Sequence, residues 1–158
     1  MIKKLPQTSL VILIEHNSIF LAMKKRGFGA GRWNGYGGKP EKNETIEDTA
    51  IRETVEESGV TPMKLNKVAI VNFHFPKDRQ KFDQQTHIYI CKDWTGEPTE
   101  TEEMKPQKFN IEDIPYDDMW PDDRYWLPKV LAGESIEADF YFGDNDRILK
   151  KQIRQLLS

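Results

Sequence analysis

The sequence predicts an α+β protein in which strands dominate, arranged as an α/β/α sandwich around a mixed β-sheet. Three observations lead there. The β-branched and aromatic runs "SLVILIEHNSIFLAMKKRG", "VAIVNFHF" and "THIYICKDW" are bounded by turn-forming residues, as strands are. "TIEDTAIRETVEESG" has helical spacing, a start signal and a glycine stop. "DDRYWLPKVLAG" reads as a second, shorter helix.

The 158 residues suggest one domain over 1–158, large enough to bury about two-thirds of its unfolded surface. With 37% hydrophobic and 31% charged residues, the composition is that of an ordinary globular chain. A net charge of −3 offers no general attraction to a nucleic-acid polymer or a membrane, so an anionic partner must be met by a local basic patch or a metal ion. The lone Cys91 cannot form an intrachain disulfide and sits in the apolar run "HIYIC", which suits a buried strand. At the N-terminus, the apolar run Leu10 to Ile14 is shorter than the roughly 7–15 residues of a signal-peptide core, and no small-residue cleavage site follows. A first strand is expected instead, in a monomeric cytoplasmic protein, with other intracellular compartments left open.

In chain order, the first two strands should join at His16 to Ser18, with Asn17 suited to positive φ. The glycine-dense loop "GFGAGRWNGYGGKPEKNE" follows. Thr45 is the expected N-cap of the long helix, its hydroxyl accepting from the Asp48 N–H, while Glu47 and Asp48 suit the positive end of the dipole and Gly59 ends the helix. A strand pair around "PKDRQKFDQQ" comes next, then the acidic connector "GEPTETEEM" and a short strand in "KPQKFNIEDIP". Pro128 suits the second helix only within its first turn. The last segment, "DFYFGDNDRILKKQIRQLL", admits either a hairpin at "GDND" or a terminal helix carrying Leu149, Ile153 and Leu157.

The long helix poses the chemical question. Glu53, Glu56 and Glu57 fall within an arc of roughly 100°, with Ile51 and Val55 on the opposite side, expected to dock on the sheet. Like charges at such spacings cost a few tenths of a kcal/mol per pair. Arg52, four residues before Glu56, can hold one carboxylate. An acidic face is commonly no more than solvated surface. The loop before it favours another use: Gly35, Gly37 and Gly38 around Tyr36 allow close backbone approach, and Lys39 follows at once. Carbonyls, a cation and clustered carboxylates together suit Mg²⁺ and phosphate.

Gly38, five residues, Glu44, seven residues and then "RETVEESGV" (52–60) resembles the Nudix box, departing from it only at Thr54, where that family usually has a bulky aliphatic residue. "MKKRGFGAGRWNGYGGK" and "MWPDD" resemble more narrowly the oxidised purine nucleoside triphosphate hydrolases, the group that includes the MutT-like 8-oxo-dGTP diphosphatases. The similarity covers nearly the whole chain, with a small insertion near Lys77 to Gln84. It implies a Nudix fold, Mg²⁺ (or Mn²⁺) as cofactor, a small-molecule nucleotide as substrate, and a nucleoside monophosphate and pyrophosphate as products from 8-oxo-dGTP or 2-hydroxy-dATP.

By the same resemblance the metal is held by the Gly37 carbonyl, Glu53, Glu56, Glu57 and, more distantly, Glu103, with Glu102 an equal candidate on chemistry. Glu53 or Glu56 doubles as general base, Arg52 orients a carboxylate, and Glu44 is structural. Lys24 and Lys39 approach phosphate or base, alongside Gly37 and Gly38. Phe28, Asn34, Tyr36, Phe73, Trp120, Pro121, Asp122 and Asp123 are the implied base contacts, Trp120 by stacking and Asn34 through its amide. Asp122 and Asp123, side by side at an apolar pocket, cannot comfortably both ionise, so one carboxyl can donate where the other accepts. The alternative readings are a Nudix hydrolase of ADP-ribose, a dinucleoside polyphosphate or a capped RNA end, or a non-catalytic nucleotide-binding module.

Overall fold

Strand β1 (Gln7–Glu15) is buried on both faces, and a computed structural model, which describes residues 4–157, builds outward from it. It pairs antiparallel with β2 (Ser18–Lys24) and parallel with β5 (Gln84–Thr95). β4 (Thr61–His74) lies antiparallel to β5 and parallel to β7 (Ile136–Phe142), and β8 (Ile148–Gln155) closes that side. On the other side β6 (Met104–Asn110) runs the length of one edge of β2, while the short β3 (Trp33–Asn34) pairs with β2's far end. The result is a mixed sheet ordered β3-β2-β1-β5-β4-β7-β8, with β6 beside β2.

Alternation along β1 divides the core. Val11 and Leu13 face one cluster with Tyr36, Tyr89, Cys91 and Ala50 of α1 (Ile46–Ser58). Ile12 and Ile14 face the other, with Trp126, Leu127 and Val130 of α2 (Asp123–Leu131) and the inward residues of β7. The α/β/α sandwich is therefore present. Among the described residues, no helix is long and apolar enough to cross a membrane.

Several local expectations are corrected. β1 and β2 register Glu15 against Ser18, so His16 takes the first turn position and carries the positive φ (55°), not Asn17. Residues 148–155 form a strand paired with β7, which excludes the terminal helix; Leu149 and Leu157 are exposed. Pro128 falls in the second turn of α2, where it withholds the N–H that would bond the Arg124 carbonyl, an exposed position that water can serve.

The caps of α1 are as expected: Thr45 Oγ1 accepts from Asp48 N at 3.1 Å, and Gly59 closes the helix at φ 79°. Its docking face is not. Val55 is 40% exposed, while Ala50, Thr54 and Ser58 are fully buried. This row of small residues lets the helix settle closely on the sheet. Its hydroxyls are satisfied within the helix, Thr54 Oγ1 donating to Ala50 O (2.7 Å) and Ser58 Oγ to Thr54 O (2.6 Å). Thr54, the departure from the Nudix pattern, is thus a packing residue in a close contact. At about 100° per residue, Glu57 lies beside this buried row, Glu53 further round and Glu56 further still.

Candidate active site

That rotation of α1 grades its three carboxylates. Glu56 is 57% exposed, Glu53 18%. Glu57 is buried enough that desolvation, with the charge of Glu53 adding to it, pushes its pKa up to about 7 even though Gly37 N donates to its Oε1 at 3.0 Å. Burial raises Glu53 as well, against the pull of Arg52. Arg52 is the hub of the face. It forks onto both oxygens of Glu44 (2.7 and 2.9 Å), reaches Glu53 (2.9 Å) and Glu56 (3.3 Å), and donates to Lys39 O (3.1 Å). Glu44 is held to about 2 by Arg52 first, then by Thr49 and the Glu41 N–H, so its role is to fix the arginine.

The glycine loop is pressed against this face and against β1. Tyr36 exchanges backbone hydrogen bonds with Val11 (2.6 and 3.0 Å). A Cβ on Gly37 would stand 1.8 Å from Ser9 O, and one on Gly38 would stand 2.5 Å from Glu53 Cδ. Close approach, rather than positive φ, is what these two positions require. Among the described residues, no three His, Cys, Asp or Glu side chains already converge as a ligand set. Yet the donors suit a hard cation: a buried carboxylate with a raised pKa, two more beside it, and the Gly37 backbone within hydrogen-bond reach. Glu103 is drawn instead to Arg26 (2.7 Å), though its charge is felt at Glu57.

A cavity of about 310 Å³ is lined by Glu57, Lys24, Lys39, Gly37 and Gly38 and by an aromatic part comprising Phe28, Phe73, Phe75, Phe82, Trp120 and Trp126. Asn34, Asp122 and Asp123 border it. Gly35 N donates to the Asn34 amide oxygen (2.8 Å), and the Asn34 NH₂ adds two donors that a ligand can use. Both aspartates are buried, at 1% and 4% exposure. Asp122 Oδ2 accepts from Trp126 Nε1 at 2.8 Å, while Asp122 Oδ1 and Asp123 Oδ2 have no hydrogen-bond partner. Burial raises both pKa values, and Asp122 raises Asp123 further, by its charge and by a shared hydrogen bond. Arg32 opposes this from nearby. The pair is two buried carboxyls of raised pKa, with two unserved oxygens, beside an apolar slot.

Residues 3–130 match the NUDIX domain family. The chain belongs to the Nudix family. It is 45% identical over 148 residues to the mouse oxidized purine nucleoside triphosphate hydrolase, covering 94% of each chain. The zebrafish protein of the same name is 40% identical over the same share of each. In fold it resembles the crystal structure of a mutator MutT protein from Bacillus halodurans, with a TM-score of 0.81, 22% identity and coverage of 94% of this chain and 97% of that one. Nudix hydrolases generally need a divalent metal.

Set against this Nudix site, two expected contacts are corrected. The Tyr36 ring is fully buried in the core cluster with Ala50 and Tyr89, so it anchors the loop instead of lining the cavity. Pro121 is not among the residues around the cavity. Others were not anticipated from the sequence. Phe82 stacks on Phe28 at 4.0 Å, and Lys81, Phe82 and Asp83, from the segment expected as an insertion, all border the cavity. Thr8 and Thr86, hydrogen-bonded to each other at 2.8 Å, border it too. Only their positions on neighbouring strands could have signalled them.

Proposed function

We propose that this protein hydrolyses oxidised purine nucleoside triphosphates, 8-oxo-dGTP and 2-hydroxy-dATP among them, to the nucleoside monophosphate and pyrophosphate, and so clears the cytoplasmic nucleotide pool of mutagenic precursors. It acts as a single-domain monomer with Mg²⁺, which Mn²⁺ can replace. One observation carries the reading: the buried Asp122–Asp123 pair lines the same cavity as a cluster of aromatic rings and as Glu57 of the acidic face of α1. The whole-length similarity to the mouse and zebrafish hydrolases supports it.

The base enters the aromatic end and stacks on Trp120, an interaction worth roughly 1–3 kcal/mol in nucleic-acid sites. An ionised carboxylate of the pair accepts N–H groups from the base edge, and its protonated neighbour donates to an acceptor there. Asn34 adds its NH₂. Moving the shared proton between Asp122 and Asp123 exchanges donor for acceptor, which lets one pocket take both oxidised guanine and oxidised adenine. Lys24 and Lys39 meet the phosphate chain as it leaves the pocket.

Glu53, Glu56, Glu57, the Gly37 carbonyl and, more distantly in the chain, Glu103 would hold the cation. When bound, it supplies charge neutralisation at phosphate and a lowered pKa for water. Arg52 keeps Glu53 and Glu56 turned to one side, and Glu53 or Glu56 takes the proton of the attacking water. Lys39 follows a loop whose backbone is pinned to β1, so phosphate and carboxylates keep a fixed relation.

The test is kcat/KM for 8-oxo-dGTP, 2-hydroxy-dATP, dGTP and ADP-ribose with Mg²⁺, with the products identified. Preference for the oxidised triphosphates with release of pyrophosphate is expected. Preference for ADP-ribose would keep the acidic face and discard the base pocket; no turnover of any would make the chain a binding module.

A further inference from the structure

Trp120 belongs to no strand or helix; it lies in irregular chain between a 3₁₀ turn at Tyr116–Asp118 and α2. Stacking a base demands a fixed ring plane, so something must hold the indole. One of its faces is covered by the Arg32 guanidinium, 4.1 Å from the ring centroid. Trp120 lines the cavity, whereas Arg32, which holds that ring, is not among the residues around it. Arg32 is itself held: its Nη1 lies 3.1 Å from Asp146 Oδ2. The other oxygen of Asp146 takes Arg79 Nη1, and Arg79 Nη2 donates to Gly143 O at 2.9 Å.

The chain of contacts crosses four separate segments: the glycine-rich loop, the 3₁₀ segment Lys77–Phe82, the β7–β8 turn and the approach to α2. Asn145 and Asp146 both sit at φ 58°, a left-handed backbone that two successive non-glycine residues rarely adopt. Arg79 ties that turn at both Asp146 and Gly143. The same segment reaches Trp120 by a second route, through Phe82 stacked on Phe28, whose ring is 5.0 Å from the indole. All three ionic side chains are partly shielded, at 27%, 29% and 18% exposure, where such pairs are less screened than on open surface.

We propose that Arg79, Asp146 and Arg32 form a latch that fixes the plane of Trp120 for base stacking, and that Arg79 is the positioning residue which closes it. This rests on Trp120 being the base platform, as in the function proposed above. It assigns a role to the segment expected as an insertion: tightening the base end of the site without touching the phosphate end.

The test compares dissociation constants for 8-oxo-dGMP and for inorganic pyrophosphate, with Mg²⁺, across the parent chain, Arg79→Ala, Asp146→Asn and the double variant. Loosening the latch should weaken 8-oxo-dGMP by about tenfold while leaving pyrophosphate within about twofold, and the double variant should be no worse than the singles, since both break one chain of contacts. In turnover, KM should rise more than kcat falls. Arg79→Lys, which keeps the charge but not the fork that spans Asp146 and Gly143, should restore part of the loss. Asn at position 146 tolerates the left-handed backbone, so that variant keeps the turn even where Arg79→Ala does not fold. Unchanged 8-oxo-dGMP affinity in Asp146→Asn, equal weakening of both ligands, or losses that multiply in the double variant would each overturn the latch. A parent that ignores 8-oxo-dGMP but binds ADP-ribose would overturn the substrate reading instead, and the latch is then judged by the same criteria on ADP-ribose.

Discussion

Among single residues, Glu57 and the Asp122–Asp123 pair are the ones whose environment departs furthest from that of a surface carboxylate, and each yields a measurable consequence. Glu57 must lose its proton to hold a cation. With a metal-free pKa of about 7, its ionised fraction rises roughly tenfold between pH 6 and pH 8. Mn²⁺ affinity, measured by electron paramagnetic resonance titration, should therefore strengthen by about tenfold over that range, and Glu57→Gln should lose most of the dependence along with most of the affinity. A pH-independent affinity would remove Glu57 from the metal site. Asp122→Asn replaces one member of the proton-sharing pair by a group with a fixed donor and a fixed acceptor. It should change the ratio of 8-oxo-dGTP to 2-hydroxy-dATP turnover several-fold; an unaltered ratio would mean the exchange of one proton does not set base choice. The acidic face was legible in the sequence because helical spacing alone aligns Glu53, Glu56 and Glu57. The contacts of Phe82 with Phe28 and of Arg79 with Asp146 were not, since each joins segments 54 and 67 positions apart and no local pattern marks either.

For the elements, what was legible is what local chemistry dictates. Thr45 and Gly59 mark the ends of α1 through their own hydrogen bonds and dihedrals, and the unbroken apolar run Leu10 to Ile14 marks a first strand, which the fold buries on both faces. The docking face of α1 was misjudged because an apolar stripe was sought. Close packing against a sheet uses the Ala50, Thr54 and Ser58 row, and the apolar Val55 is left partly in water. The C-terminal hairpin was undecidable locally, since spacings of four suit a helix and "GDND" suits a turn; pairing with β7 settles it. The glycine loop belongs to the same scale, because β1 and α1 together define the gap it fills. Gly37→Ala would set a Cβ 1.8 Å from a backbone oxygen of β1, which no rotamer change relieves. The loop must then lift from β1, costing about 1–3 kcal/mol of stability as overpacking does. Urea unfolding should register that loss, and turnover should fall at least as steeply because Gly37 N leaves Glu57. A Gly37→Ala variant with parental stability and activity would mean that the loop is not pinned as described.

At the scale of the whole molecule, the site's electrostatics should be visible in how stability varies with pH. Glu57, Glu53, Asp122 and Asp123 all have folded pKa values raised by burial, so the folded chain keeps protons that the unfolded chain has released. Their stabilising effect is complete below the unfolded values near 4 and is lost as pH rises through the folded ones, Glu57 at about 7. His87 acts in the opposite sense: burial first, then the charge of Lys67, lowers it to about 4, so the unfolded chain binds the extra proton and stability rises with pH until about 6.5. Glu44, held to about 2, also favours the folded chain above about 4.5 and loses that effect only as pH falls towards 2. Below 6.5 these contributions oppose one another. From about pH 6.5 to 7.5 the rising contribution of the histidine fades as the unfolded chain loses its proton, and Cys91, raised by burial, has not begun, so towards pH 8 the carboxylates come to act alone. Metal-free protein in a chelator should therefore lose stability across that window, by at most roughly 1.4 kcal/mol per pH unit for each carboxyl still titrating. Mg²⁺ should remove the part due to α1, because it binds the ionised face and favours the folded chain by mass action. Asp123→Asn should remove the part due to the base pocket, with or without metal. Urea midpoints at pH 6.5, 7, 7.5 and 8, with chelator and with Mg²⁺, separate the two ends of the cavity; a flat metal-free profile would show that neither end holds protonated carboxyls at neutral pH.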